Sequence, residues 1–576
     1  MNWQIPRRRD ALVRGLKVGA HVLMRGIADA MDPSYSYHRR GTTMGQLPVL
    51  AESRSALWTD GREDEFVLVA GKVHNLRVAA HALNGVEMPA GATFSFWRQI
   101  GWPHAMRGFV EGREIRHGCV VPVVGGGICQ LSNALMACAL EAGLEIVEAH
   151  RHSARIERPS DSGPHADATV FWNYVDLRFR TKMPLRLDVE LTADELVVRF
   201  RGETTGDRAS SRDGGPALLH DPTGQAVARG CLTCNETSCY RHRPRAAATA
   251  GAGVTVMLLD GPAPSGLAGH APAARVVEVT RHTATPAPMV ASISRSAINR
   301  WGARSGWPRQ RGAMTAAEVS ARLLEYSLKP TDRHLLIDQP LLVPLWRAGV
   351  LAGRRYDVLL RTVPGADLQR RLDEACSCWP DAESLRDFRV DQATIDAELL
   401  ALRGANLILT PHHDAARCLA ERGFLQIQTF SAPIVARAPG ALSVCIRKPP
   451  TVLLPAVAWP RKGSRELISV ATELGWRVVV LGVPASESAW MSNYQVEIRQ
   501  RSKHLDFRDI DIVALPAWVE HDHSALHQAL ARGLPVVCSD ACGMPPDCGV
   551  TTVAAGDMRA LAEALTRVLE DRAVDE

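Results

Sequence analysis

A cysteine at the start of a helix-like stretch is the residue of this chain most suited to covalent chemistry. Gly125, Gly126 and Gly127 lead through Ile128 into Cys129, and a helix-period apolar run follows. Free N–H groups at a helix start favour a thiolate. Glycines let backbone N–H groups approach an oxyanion. Downstream, a strand-like run ends in His150 and His152, and Asp167 opens a second alternating run. Thiol, imidazole and carboxylate in that layout suit a nucleophile, its base and an orienting group. The imidazole is open among His150, His152 and His165. The competing reading is a packed helix thiol behind a glycine turn, a common fate of free cysteine.

A second cluster is Cys231-x2-Cys234-x4-Cys239, with His242 three positions on. Two cysteines separated by two residues can present both thiolates to one ion through a tight turn. Cys239 and His242 would complete a Cys3His tetrahedron for zinc. Three thiolates with an outside ligand would instead suit an iron–sulfur cluster. The competing reading is a group of thiols in a flexible linker. The Pro, Arg and Thr neighbours argue against burial of three thiols for packing alone.

The elements that must position these groups follow from pattern. The 576 residues, 46% hydrophobic and 22% charged, have ample material for several cores. Thirteen cysteines, several inside apolar periodic segments, argue for reduced thiols or a metal site rather than a disulfide framework. No stretch of uncharged apolar residues is long enough for a transmembrane helix. Arg7-Arg8-Arg9 faintly suggests a twin-arginine signal, but Arg14, Lys17, His21 and Arg25 interrupt any apolar core. A cytoplasmic location is expected. Val13, Leu16, Ala20, Leu23, Ile27 and Met31 share one helical face. Residues 1–40 hold eight Lys/Arg and three Asp/Glu, a surplus equal to the +5 of the whole chain. Such a helix can lie peripherally on an anionic inner-membrane surface, though packing on its own domain is the commoner outcome. The balanced remainder offers no nucleic-acid footprint.

Helices are expected at 66–86 and 129–143. Strands are expected around 91–97 and at 145–151, 167–172, 175–180 and 185–200, the last a hairpin turning near Ala193-Asp194. From 254 onward, short apolar strands alternate with helices. They form two successive runs, VTVMLLDG to ANLILTP and TVLLPAV to GVTTVAAGD. That pattern predicts two Rossmann-like sheets with a boundary near Ser443–Pro450.

Two resemblances sharpen this reading. Gly125 to Ser132 (GGGICQLS), His152-Ser153, Asp167-Ala168-Thr169-Val170 and Asp176-Leu177 resemble the VanW family over roughly 46–200. On that resemblance His152 is the matched imidazole. The family names a domain rather than a reaction. The order Cys, His, Asp is also similar to the transglutaminase-like branch of papain-type folds.

The final 125 or so residues resemble the nucleotide-sugar-binding domain of retaining GT-B glycosyltransferases of the GT4 type. The match lies in Arg461-Lys462-Gly463, in DIVALPAWVEHDHSALHQALARGLPVVCSDACG, and in the closing GVTTVAAGDMRALAEALTRVLED. ANLILTPHHDAARCL is similar to the end of the partner domain. The resemblance implies that Lys462 and Arg461 meet the donor diphosphate beside the helix after Gly463. It further implies that Glu520 and Gln528 orient donor sugar and ribose. Gln528 replaces the family's second carboxylate, and His521-Asp522-His523 replaces its glycine–phenylalanine–glycine. Protein cations can stabilise the leaving group, so this logic needs no divalent metal.

The expectation is a multidomain chain. A basic segment (1–45) precedes an α+β VanW-type domain (46–202) and a linker with the cysteine cluster (203–250). An α/β two-Rossmann GT-B-like module (251–445 and 446–576) follows. The expected function is sugar transfer from a nucleotide sugar to a glycan, peptide or small-molecule acceptor, of cell-envelope or antibiotic-related type. One alternative is cysteine-dependent acyl transfer or amide hydrolysis at Cys129, the distal module only binding glycan or nucleotide. The other is a non-enzymatic metal- or glycan-binding protein.

Overall fold

The computed structural model describes residues 8–32, 36–58, 65–116, 119–151, 167–203, 255–260, 267, 275–278, 286–305, 309–430, 449–500 and 505–574. The chain divides into two units. One is Met1–Val254 with Leu328–Arg333 and Ala348–Arg355. The other is Thr255–Ser327, His334–Arg347 and Tyr356–Glu576.

The first unit is α+β. Helix α1 (Arg8–Met31) precedes strand β1 (Val49–Ala56), helix α2 (Phe66–Leu83), strands β2 (Val86–Met88) and β3 (Thr93–Ser95), and helix α3 (Phe96–Ile100). Strands β4 (Glu111–Arg116) and β5 (Cys119–Val124) form a hairpin that delivers the chain to helix α4 (Cys129–Glu141). Strands β6 (Glu145–Glu148), β7 (Arg178–Arg180), β8 (Leu185–Leu191) and β9 (Glu195–Gly202) follow. The sheets run β1-β9-β8-β2, β3-β7-β6 and β4-β5, and every pairing is antiparallel. Apolar residues of α2 (Val73, Leu76, Leu83) and α4 (Leu131, Leu135, Met136) share one core with Phe179, Val198 and Phe200 of the strands. The expected hairpin turn at 193–194 joins β8 and β9.

The strand expected at 167–172 does not form. The Ala168 N–H is taken by Asn133 Oδ1 at 2.8 Å, and the Thr169 N–H by the His150 carbonyl at 2.8 Å. Ser132 Oγ donates to the Ala168 carbonyl at 2.6 Å. Those backbone groups are tied to α4 and the end of β6 instead of to a ladder. Ala168, Thr169 and Val170 are all buried, so the apolar–polar alternation of 167–170 does not mark an inner and an outer face.

The second unit is α/β. Its first half contains β10 (Thr255–Leu259), β11 (Arg275–Glu278), α5 (Pro286–Arg304), α6 (Arg309–Glu325), β12 (His334–Asp338), α7 (Gln339–Arg347), β13 (Arg355–Leu359), α8 (Gly365–Cys378), α9 (Gln392–Arg403), β14 (Leu407–Thr410), α10 (His413–Glu421) and β15 (Ile427–Thr429). Its second half contains β16 (Thr451–Leu454), α11 (Ser464–Glu473), β17 (Arg477–Val480), α12 (Ser488–Met491), β18 (Val496–Ile498), β19 (Ile512–Leu515), α13 (Ser524–Ala531), β20 (Val536–Ser539), β21 (Thr551–Val553) and α14 (Met558–Val574).

Each half holds one six-stranded sheet, in the orders β11-β10-β12-β13-β14-β15 and β18-β17-β16-β19-β20-β21. Counted within its half, the second is the doubly wound order 3-2-1-4-5-6. Its central strands are buried throughout, as parallel strands covered on both faces must be. The two Rossmann-like halves are those the strand runs predict. The boundary expected near Ser443–Pro450 falls mostly outside the described residues.

Candidate functional site

In a doubly wound sheet the ligand crevice lies beyond the strand carboxyl ends, where the strand order reverses. In the second half that point is between β16 and β19, which pair in parallel. The loops leaving these two strands carry Arg461-Lys462-Gly463 and Glu520. A single 3-10 turn over Pro460–Lys462 is closed by Gly463 in the left-handed region, with φ 72°. A Cβ at Gly463 would run into the Pro516 carbonyl. Glycine thus lets the first turn of α11 pack against the loop after β19.

That approach brings Lys462 Nζ to 2.6 Å from Glu520 Oε1, with both side chains buried. The same oxygen accepts the N–H groups of His521 at 2.8 Å and Asp522 at 3.0 Å. Burial pushes the Glu520 pKa up, but the Lys462 ammonium and these donors outweigh it and hold it below the ordinary value. The carboxylate is therefore ionised at neutral pH. Ser464 Oγ, at the first position of α11, is buried with no hydrogen-bond partner among the described residues. The Arg461 guanidinium stacks over Phe388 and Trp459, at 4.8 and 5.0 Å from the ring centroids. The Arg461 carbonyl accepts the Trp518 N–H at 3.0 Å. Gln528, on α13, is directed elsewhere: its Oε1 accepts the Leu505 N–H at 3.3 Å.

Several residues at this crevice do not stand out in the sequence. His412 is fully buried between the halves. Its Nδ1 accepts the Ala415 N–H at 3.1 Å, capping α10, so its proton sits on Nε2, 3.0 Å from the Glu520 carbonyl. Burial holds it below the ordinary histidine value. His523 lies 6.3 Å from the His412 ring and 5.2 Å from His527. Burial and those two neighbours lower His523 to about 4. The available signal is the density of histidine at two strand ends, in TPHHD and EHDH.

A polar bridge joins the halves nearby. Glu466 Oε1 accepts the indole N–H of Trp379 and that of Trp518, both at 2.7 Å. Arg465, also buried, pairs with Glu487 at 2.9 Å and with Asp381 at 2.8 Å. At the switch point of the first sheet, Asp260 directly follows β10 and Asp338 ends β12. The Asp260 N–H donates to Asp338 Oδ2 at 3.0 Å, and Arg361 Nε lies 2.8 Å from Asp338 Oδ1. Burial, reinforced by Asp338, raises Asp260 to about 6 against the pull of Arg295. DGPAPSG is an unpromising loop in sequence, and its aspartate becomes visible only through the neighbouring strand.

Cys129 opens α4 and is half-buried. Gly125 and Gly127 are left-handed, with φ 81° and 94°, and a Cβ at Gly127 would strike the Lys72 side chain. Asn75 fixes the loop by donating to the Gly126 carbonyl at 3.0 Å. Among the described residues, the Cys129 thiol meets Thr169 Oγ1 and the Val170 carbonyl, both at 3.9 Å. Asp167 is described, two residues before Thr169. His152 and His165 lie outside the described residues. His150 Nε2 is 3.3 Å from Glu148, on β6. Asp176, part of the quoted motif, is a buried structural hub. It accepts Ser95 Oγ at 2.6 Å and Arg178 Nε at 2.9 Å, tying β3 to β7. Cys231, Cys234, Cys239 and His242 also lie outside the described residues. Among those described, no group of three potential ligands is placed to hold a metal.

The family model described as VanW like protein matches residues 71–201. Residues 71–201 are a VanW domain. Vancomycin B-type resistance protein VanW of Enterococcus faecalis is 31% identical over 158 residues, 27% of this chain and 58% of its own length. The uncharacterized protein YoaR of Bacillus subtilis is 33% identical over 109 residues, 19% of this chain and 35% of its own. The chain thus spans under two thirds of either relative. Among solved structures, a sucrose-phosphate synthase from Thermosynechococcus elongatus covers 56% of this chain and 90% of its own, with 14% identity and a TM-score of 0.35. HepE of Anabaena, in complex with UDP, covers 55% and 90%, with 13% identity and a TM-score of 0.35. The glycine–cysteine loop and α4 of the VanW domain lie inside the matched segment.

Proposed function

We propose that the second unit binds a nucleotide sugar at the β16/β19 switch point and transfers the sugar to an acceptor hydroxyl or amine. The observation that carries this reading is the buried Lys462–Glu520 pair at the point where the sheet order reverses. A diphosphate needs a cation and free N–H donors. Lys462, the first turn of α11 and Ser464 Oγ, unpartnered among the described residues, supply such groups together. In the reaction the bond from the sugar's anomeric carbon to the diphosphate oxygen breaks, and that oxygen keeps the electron pair. A bond forms from the anomeric carbon to the acceptor atom, which gives up its proton. Lys462 stabilises the charge growing on the leaving group, and Glu520 orients the sugar. The retaining course rests on the GT4 resemblance alone, and an envelope or antibiotic-related acceptor on the VanW domain alone.

The test is a thermal-shift screen of nucleotide sugars against the full chain. A donor at 100 times its dissociation constant adds about 2.7 kcal/mol of stability. Failure of every common donor to shift the transition or to be hydrolysed would remove the transferase reading.

Cys129 supports a second reading, acyl transfer with Cys129 as nucleophile, His152 as base and Asp167 as its orienter. What favours it is a thiol at the first position of a helix behind two left-handed glycines. A third proposal stands on sequence spacing alone: zinc, or an iron–sulfur cluster, held by Cys231, Cys234, Cys239 and His242. Elemental analysis of wild type and a Cys231→Ser, Cys234→Ser variant decides it, and equal metal content would end it.

A further inference from the structure

Helix α1 holds the protein by its charged edge. Arg25 lies 3.1 Å from Asp29 and also pairs with Glu148 of β6, and Arg178 of β7 reaches Asp29 at 2.6 Å. His21 rests against Tyr174, with ring centroids 6.2 Å apart. Of the side chains described on this helix, Asp29 alone is buried. The apolar stripe is the part left in water: Leu16, Leu23, Ile27 and Met31 are 66, 67, 55 and 80% exposed. At about 100° per residue these four fall within roughly 80° of one another, diametrically opposite Arg25 and Asp29. A helix packed only on its own domain turns such a stripe inward. Here the ion pairs fix the opposite orientation.

We propose that α1 docks this protein onto an anionic lipid bilayer, the Leu16–Met31 stripe entering the boundary between headgroups and acyl chains. Charge decides the occupant. Residues 1–40 carry a surplus of five positive charges, and Lys17 is exposed beside the stripe. Apolar side chains on one face with basic residues around them are what an interfacial helix needs, and anionic headgroups attract each such cation. A second copy of the chain would bring two equally basic segments together, and their repulsion opposes pairing through this stripe. No helix of the described residues is long and apolar enough to cross a membrane, so the contact lies along the surface. The ion pairs with Glu148 and Arg178 would carry the orientation of α1 to the strands β6 and β7. This surface stands independently of the transferase reading.

The experiment is vesicle flotation of the full chain. Vesicles of phosphatidylcholine alone are compared with vesicles also containing phosphatidylglycerol. The protein should float with the anionic vesicles, stay behind with the neutral ones, and be released by salt. A Leu23→Asp, Ile27→Asp variant replaces two exposed side chains, so its melting temperature should match wild type. Its bound fraction should fall about tenfold or more. Wild type left behind by anionic vesicles overturns the proposal, as does a folded variant that floats equally well. So does a dimer in sedimentation that the same variant dissolves, which would give the stripe to a second copy.

Discussion

At the scale of single residues, Lys462 carries two separable consequences. It is the cation proposed for the diphosphate, and it compensates the buried Glu520 carboxylate. Lys462→Ala should weaken nucleotide binding by about 1.5–3 kcal/mol, the scale of a charge-assisted contact. It should also lower stability by about 3–5 kcal/mol, because a buried charge is left alone. Calorimetry on the folded variant separates the two, and unchanged nucleotide affinity would take Lys462 out of the site. Glu520→Gln keeps the shape of the side chain and should spare binding while slowing transfer roughly 10²-fold. Cys129 invites a different measurement. Burial pushes the thiol of Cys138 up to about 12 and that of Cys418 to about 11, so neither competes for an alkylating reagent near neutral pH. Mass spectrometry should find Cys129 modified well ahead of both, and a Cys129 slower than Cys138 would leave it as packing. Lys462, Gly463 and Glu520 are legible in sequence because each sits in a short local pattern. His412 is not, because what defines it is a carbonyl 108 positions away.

At the scale of elements, legibility follows burial. The strands evident from sequence are mostly sheet interiors such as β16, β19 and β20, where every residue is buried and the run is apolar. Those that escape it are β2, β4, β5, β11, β15 and β18, each at an outer edge of its sheet. An edge strand faces water along one side, so its sequence need not be apolar; β18 is VEI and β15 is IQT. The polar strand β1 is hidden for the same reason. The missing strand at 167–172 has another cause. Periodicity does not report where the backbone N–H groups go. Gly463 gives this scale its prediction. Gly463→Ala must hold a Cβ at positive φ and against the Pro516 carbonyl, so it should cost more than about 2 kcal/mol in urea unfolding. A loss under 0.5 kcal/mol or so would show that the loop relaxes freely.

At the scale of the whole molecule, the charges at the crevice set an acid limit. The His412, His523 and His527 imidazoles are all held below 6.5 by burial, His523 to about 4. Above pH 6.5 folded and unfolded imidazoles are alike neutral and contribute nothing. Between 6.5 and 4 the unfolded chain binds protons that folded His523 does not, so stability falls as pH falls. One such group gives a slope of up to about 1.4 kcal/mol per pH unit. Glu520, depressed in the fold, extends the loss at lower pH; Asp260, raised to about 6, opposes it between 6 and 3.8. His523→Gln should flatten the slope over pH 6.5–4 and leave stability at pH 8 little changed. Parallel slopes for variant and wild type would show that His523 titrates normally. The carboxyl group shared by Trp379 and Trp518 has an optical consequence. Each half of the unit contributes one indole to the same buried oxygen of Glu466. An indole whose N–H leaves a buried carboxyl oxygen for water changes both emission wavelength and quantum yield. The intrinsic fluorescence of this protein therefore contains a gauge of whether its two sheets are latched or apart, readable in a stopped-flow mixer without any attached dye.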